Sequence, residues 1–198
     1  ESIGLGHTRL KIRELSDLGS QPMNNKDNSI SITFNGEIYN FRELRDQLKK
    51  LSINFKGNSD TEVILRVYEM WGLHGLKKLE GMFSFGIWDK NLERLILMRD
   101  RFGIKPLFYS IINNGLIFGS EIKAIKASKF LNKELENQSL AEFLWYGNSF
   151  EDRTIYTNVK SLLPGNWLIY KKDKITIEKY WELEDWTNKD KFKGSKQE

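Results

Sequence analysis

Cysteine is absent from the 198 residues, and histidine occurs only twice, at His7 and His74. Disulfides, zinc knuckles and a cysteine nucleophile within these residues are therefore excluded, and two histidines alone do not make a histidine metal site, so no metal is expected. Long apolar runs are missing as well. The most apolar stretch, Met82 to Trp88, is interrupted by Ser84 and Gly86 and falls far short of the roughly 18–20 residues of a membrane helix, so no membrane partner is expected. Neither sign of charge dominates: 31 Lys+Arg against 27 Asp+Glu leaves +4, much of it from Lys189, Lys191, Lys193 and Lys196 at the end. That excess reads as solubility and not as a nucleic-acid footprint. No secretory leader opens the chain, which points to the cytoplasm, and the first residue is Glu1 instead of Met, as if a preceding segment had been removed. No Gly-x-Gly-x-x-Gly, Walker or His-Glu-x-x-His run occurs, and no spacing suggests a carboxylate–His–Ser triad.

What is present is an ordinary globular composition: the hydrophobic residues at 39% plus 15 Gly bring the apolar share to roughly 47%, enough for one large domain with a real core. Ile3 to Ile12 read as strand-like pieces broken by Gly4 and Gly6, and Ser16 to Ser29 as a loop. Ile30, Ile32 and Phe34 alternate with Ser31 and Thr33, a half-buried strand expected to stop at an Asn35-Gly36 turn. Phe41, Leu44, Leu48 and Leu51 recur at helical spacing behind Asn40 as N-cap. Ile53 to Lys56 is expected as a short strand, and Ser59 and Glu62 have the spacing of a capping box that opens a helix to about Trp71. Met82–Asp89, Arg94–Arg99, Leu107–Ile111 and Leu116–Gly119 are spaced as an antiparallel meander. Helices near Ser120 and over Leu140–Tyr146 follow, then a hairpin of Trp167–Lys171 with Ile175–Trp181. The pattern predicts one layered α+β domain.

Three stretches could carry chemistry. Asn35-Gly36 reads either as a turn, since both residues tolerate positive φ, or as an oxyanion hole made of a side-chain amide and a backbone N–H. Glu37 follows at once. Asp60, at an expected helix start, is favoured there by exposed N–H groups whatever its function, or fixes a substrate ammonium. Arg9 is either a solvated charge or a bidentate grip on a carboxylate. Together they describe a pocket for an amino acid carrying a second carbonyl. Arg99-Asp100-Arg101, with Gly103 and Lys105-Pro106, reads as a structural turn between two strands.

Taken in order, these stretches resemble the N-terminal, class II glutamine amidotransferase domain of the glutamine-hydrolysing asparagine synthetase family. The matching runs are Gly6-His7-Thr8-Arg9-Leu10-Lys11-Ile12, Gln21-Pro22-Met23, Phe34-Asn35-Gly36-Glu37-Ile38-Tyr39-Asn40 and Ser59-Asp60-Thr61-Glu62-Val63. They continue with Glu80-Gly81 through Asp89, Arg99 through Leu107 and Ser120-Glu121-Ile122-Lys123-Ala124, and end with Leu163-Pro164-Gly165 and Tyr180-Trp181, like the stretch leading to a synthetase half. The resemblance implies an N-terminal-nucleophile fold, an αββα sandwich of two antiparallel sheets between helices, here without its first strands and helix. It implies an amidotransferase domain over residues 1–182 and a connector or frayed tail over 183–198.

In that family an N-terminal Cys attacks the glutamine carboxamide while its own α-amine, with a reference pKa of about 7.7–8.0, shuttles the proton. Ammonia then passes to an ATP-dependent domain, so ATP and Mg belong to that domain and no cofactor to this one. Carried over residue by residue, Arg9 with the backbone near Leu10 and Ile12 binds the glutamine α-carboxylate, Glu37 and Asp60 hold the α-ammonium, and Asn35 and Gly36 form the oxyanion hole. Glutamine and a C-terminal synthetase domain are the implied partners, with a homodimer left open. Arg13 stands where the family is usually apolar, Ser2 is no substitute nucleophile, and the nucleophilic Cys and the Ser-Gly-Gly-x-Asp-Ser loop fall outside these residues. The chain alone is therefore expected to be inactive. The alternative is a catalytically dead scaffold domain, as in relatives resembling the β-lactam synthetases.

Overall fold

Strands apolar on both faces build the centre of the larger of two sheets in the computed structural model, which describes residues 3–8, 14, 16–113, 115–131 and 133–184. Its six antiparallel strands run in the order β1 (Met23–Asn24), β2 (Ile30–Ile38), β3 (Gly81–Asp89), β4 (Arg94–Arg99), β8 (Asn166–Lys171) and β9 (Lys174–Lys179). Ile30, Ile32 and Phe34 of β2, Phe83, Phe85 and Ile87 of β3, and Ile96 and Met98 of β4 all point to one face. Two helices cover that face: α1 (Phe41–Lys50) through Leu44 and Leu48, and α2 (Asp60–Leu76) through Val63, Ile64 and Val67. Leu95, Leu97 and Leu168 point to the opposite face. There they meet Leu107, just before β5, and Tyr109 and Phe118 of the second sheet, whose order is β6 (Gly115–Gly119), β5 (Phe108–Ile112), β7 (Lys160–Ser161). On its far side Ile122 and Ile125 of α3 (Ile122–Ala127) pack with Phe108 and Ile117. Helix, sheet, sheet and helix stack in that order, the expected αββα sandwich.

Several expectations need correction. Residues 3–8 form no strand, and residues 9–13 lie outside the described residues. Residues 53–56 are irregular, not a strand, because Leu51 and Ser52 close α1 against Leu48 and Lys49 and Ile53 N donates back to Leu48 O at 3.1 Å. β2 does not stop at Asn35-Gly36: it continues to Ile38, paired Asn35 to Ser84 and Gly36 to Phe83. Gly36 has φ 145°, and a Cβ there would strike the Met82 carbonyl, so the sequence signal is a close approach of β2 to β3 and not a turn. Asn40 sits at the N-cap of α1 but makes no capping bond; its amide instead donates to Lys78 O at 2.9 Å and accepts from Glu80 N at 3.1 Å. The capping box is half formed: Ser59 Oγ accepts from Glu62 N at 3.2 Å, whereas the Glu62 carboxylate turns to Lys56 N and Gly57 N, both at 2.8 Å.

The expected meander also breaks in two. β3 pairs with β4 and β5 with β6, but β4 pairs with β8, so the chain crosses between sheets over Arg99 to Leu107. Two charged side chains, Arg99 and Asp100, hold that corner together. The Asp100 carboxylate, fully enclosed, accepts from Phe83 N, Phe102 N, Ile104 N and Lys105 N at 2.9–3.2 Å. The Arg99 guanidinium donates to the carbonyls of Lys105, Leu162 and Gly103 at 2.7–2.8 Å. Burial lowers its pKa from the ordinary value, and the adjacent Asp100 charge opposes that drop. Gly165 N joins the knot through Asp100 O at 2.9 Å, and Tyr180 OH through Arg99 O at 2.8 Å. The structural reading of Arg99-Asp100-Arg101 therefore holds.

Candidate active site

The inner face of the six-stranded sheet opens into a cleft of about 1020 Å³, walled by β2 and β3, the start of α2, the β6–α3 junction and residues 3–8. The alternation that sends Ile32 and Phe34 into the helix-covered core sends Thr33, Asn35 and Glu37 to the cleft. Sequence parity on one strand thus puts an amide and a carboxylate two residues apart along the same wall.

Asn35 is braced from the other sheet: its Nδ2 donates to Ser120 Oγ at 3.3 Å, just after the end of β6. One amide hydrogen is used there and the other stays available to a ligand. Gly36 N–H belongs to the same wall. Across the strand pair from Asn35 stands Ser84, buried, lining the cleft, with an Oγ that has no partner among the described residues. Beside Asn35, Phe34 N donates to Gln21 Oε1 at 2.6 Å, and Gln21 Nε2 donates to Thr61 Oγ1 at 3.4 Å, which ties the loop before β1 to both β2 and α2.

Asp60 is the first residue of α2 and is only 6% exposed. Its Oδ2 accepts from Ile38 N at 3.1 Å and its Oδ1 from Thr61 N at 3.1 Å, so it fastens the end of β2 to the helix N-terminus while lining the cleft. The helix-start reading of Asp60 holds, and the same carboxylate lines the cleft that the ligand reading requires. Glu37 and Asp60 make this end of the cleft acidic, suited to an ammonium. Gly6, His7 and Thr8 also line it, while the carboxylate-binding candidates Arg9, Leu10 and Ile12 lie outside the described residues.

The structure therefore brings Asn35, Gly36, Glu37 and Asp60 together. Sequence reasoning gave no role to Gln21, Ser84 or Ser120. All three stand inside matched runs, a signal that was there to use, and for Ser84 the β2–β3 register adds its place opposite Asn35. Among the described residues no group of three or more His, Asp or Glu is placed to hold a metal ion.

A half-buried amide, a neighbouring glycine and a pair of carboxylates share a cleft inside an αββα sandwich, a set chemically able to hold an ammonium at one end and to donate to a carbonyl oxygen at the other. The fold is shared with the glutamine phosphoribosylpyrophosphate amidotransferase of B. subtilis, at TM-score 0.62 and 20% identity over 88% of this chain and 34% of that one. Residues 1–181 match the family described as glutamine amidotransferase domain, and the chain belongs to that family. It is 40% identical to an amidase of Penicillium rubens, chyE, over 92% of this chain and 27% of that protein. It is 36% identical to asparagine synthetase [glutamine-hydrolyzing] 3 of Bacillus subtilis, over 94% of this chain and 31% of that protein. It is 39% identical to a putative asparagine synthetase [glutamine-hydrolyzing] 2 of Methanocaldococcus jannaschii, over 93% and 39%. The chain thus spans between 27% and 39% of the length of these relatives.

Proposed function

We propose that the domain is the glutaminase part of an asparagine-synthetase-like amidotransferase, releasing ammonia from glutamine for ATP-dependent amidation of aspartate or a related carboxylate elsewhere in a longer polypeptide. The observation that carries this reading is the convergence of Asn35, Glu37 and Asp60 on one cleft in a chain of this family. Glutamine would lie with its α-ammonium toward Glu37 and Asp60, its α-carboxylate toward Arg9 and the backbone near Leu10 and Ile12, and its carboxamide oxygen at Asn35 Nδ2 and Gly36 N–H. A thiolate attacking the carboxamide carbon moves an electron pair onto that oxygen. Two preorganised donors stabilise the resulting charge far more than they stabilise the neutral amide. Collapse expels ammonia, which takes the proton held by the base, and water then releases glutamate from the thioester. The 198 residues contain no Cys, so the attacking sulfur would come from a residue outside them. ATP and Mg would serve the amidation step and lie outside this domain's described residues.

Glutamate release by the full-length natural polypeptide tests the proposal. Turnover that disappears on alkylating a thiol supports it; no turnover in a correctly folded protein would favour the scaffold alternative. The 198 residues alone should release no glutamate, and hydrolysis lost on mutating a residue within Glu1–Glu198 would overturn that expectation.

A further inference from the structure

In an antiparallel strand the N–H and C=O of one residue point to the same side, and those of the next residue to the other. The even-numbered residues of β2 point away from β3. Asn25 N donates to Ile30 O and Ile30 N to Asn25 Oδ1, both at 3.0 Å, whereas Tyr39 N turns to Glu80 O on the β3 side at 2.7 Å. β1 covers the outer edge of β2 only opposite Ser31 and Ile32. Past that point two side chains take over: Phe34 N donates to Gln21 Oε1 at 2.6 Å and Ile38 N to Asp60 Oδ2 at 3.1 Å. Extending the β1–β2 register by two residues sets Gln21 opposite Phe34, so its side-chain oxygen stands where a backbone carbonyl would continue the ladder. Gly36 lies between the two bonds, and by parity its N–H points to the same edge, where it lines the cleft. Gln21 also reaches α2, donating from Nε2 to Thr61 Oγ1 at 3.4 Å, next to Asp60. β2 is thus fastened to the start of α2 twice, and the fastenings bracket Asn35, Gly36 and Glu37.

We infer that Gln21 is a positioning residue for the carbonyl end of the cleft: it pins Phe34 and so sets where the Asn35 amide and the Gly36 N–H stand relative to Asp60. The inference rests on the reading above, in which those two donors receive the carboxamide oxygen and Asp60 the α-ammonium. Gln21 acts through the strand and not on the substrate. Strand residues are about 3.3 Å apart, so a slip of β2 by even about 1 Å carries both donors off the oxygen, and a misplacement of that size costs on the order of 10²-fold in rate. Asp60 keeps its own bond to Ile38 N, which leaves the ammonium end in place. Loss of Gln21 therefore reaches the transition state and spares ground-state binding. A stitch that served only the fold would leave kcat unmoved.

Gln21→Met in the full-length polypeptide keeps the side-chain length and removes both bonds. Glutaminase kcat should fall by roughly 10- to 100-fold with little change in KM, while synthesis driven by ammonium chloride continues at its normal rate. Gln21→Glu keeps an acceptor for Phe34 N and offers its second oxygen to the Thr61 hydroxyl, so it should recover most of the lost kcat. Amide exchange at Phe34 should quicken in Gln21→Met and stay slow in Gln21→Glu. Unchanged exchange or a normal kcat in Gln21→Met would overturn the inference, as would a Gln21→Glu variant equally slow or an equal loss of glutamine-driven and ammonia-driven synthesis. Should Gln21→Met fail to fold, Thr61→Val, which cuts only the Nε2 bond, decides: a lower kcat at unchanged KM supports the inference and a normal kcat overturns it. A natural polypeptide without glutamine turnover removes the glutaminase reading and this inference with it, whereas turnover that Gln21→Met leaves intact removes this inference alone.

Discussion

At Asn35 one side chain could serve either of two ends, and they separate in different measurements. Its amide bonds Ser120 across the two sheets, so it could merely tie them together; a neutral hydrogen bond of that kind contributes about 0.5–1.5 kcal/mol to stability and nothing to kcat. As an oxyanion donor it would act only as charge develops. Asn35→Ala in the full-length enzyme should then lower glutaminase kcat by roughly 10²–10³ with little change in KM. Ser120→Ala, which frees the amide to rotate, should lower kcat by a smaller factor, and Ser120→Thr should restore it. Steady-state kinetics alongside a melting curve decide: a fall in Tm with normal kcat would reduce Asn35 to a strut. The dipeptide was conspicuous in sequence, but its geometry was not, since Asn-Gly advertises a turn and only the β3 backbone pressed against Gly36 makes it a strand. Ser84 lay inside a matched run, but a serine within an apolar strand acquires its place opposite Asn35 only from register.

Among elements, those written in local pattern emerged and those set by distant partners did not. The alternation of β2 and the 3.6-residue spacing of α1 depend on the element itself and on which side is wet. The pairing of β4 with β8 joins residues about 70 positions apart and has no local signature. The Arg99–Leu107 corner makes that long-range choice. Asp100 there satisfies four backbone N–H groups with no exposure to water. Asp100→Ala would orphan all four and should cost at least about 3 kcal/mol in chemical denaturation; a loss under about 1 kcal/mol would mean that water enters and replaces the carboxylate. Helix α4 (Asn137–Tyr146) should respond to acid instead. Phe150 N–H, donating at 3.0 Å, and then Arg153 hold the Glu142 pKa below its ordinary 4.5. A carboxylate depressed in the folded state adds stability above its unfolded pKa and loses it as pH falls through the folded one. Amide exchange over residues 137–147 should therefore quicken as pH drops below about 4.5, after correction for intrinsic rates, while β3 and β4 stay protected. Uniform loosening of both regions would assign the acid response to the core.

On the scale of the whole molecule, the cleft is assembled from both sheets and from a helix start, so the proposed binding of glutamine and the integrity of the fold meet at one residue, Asp60. Its carboxylate joins β2 to α2 through Ile38 N and Thr61 N and also faces the cleft. Asp60→Asn keeps the size and one good acceptor but removes the charge. If the charge holds the α-ammonium, the glutamine KM of the full-length enzyme should rise by about tenfold or more, since a charged hydrogen bond contributes roughly 1.5–3 kcal/mol to binding. Synthesis driven by added ammonia bypasses this cleft and should continue at its normal rate, because its acceptor is bound elsewhere in the polypeptide. If Asp60 serves only as the joint between β2 and α2, weakening it would loosen the sandwich, and both activities would fall together with Tm. Parallel assays with glutamine and with ammonium chloride, at matched pH and with melting temperatures recorded, distinguish the two: a selective rise in glutamine KM at constant Tm assigns Asp60 to substrate, and equal loss of both activities assigns it to the fold.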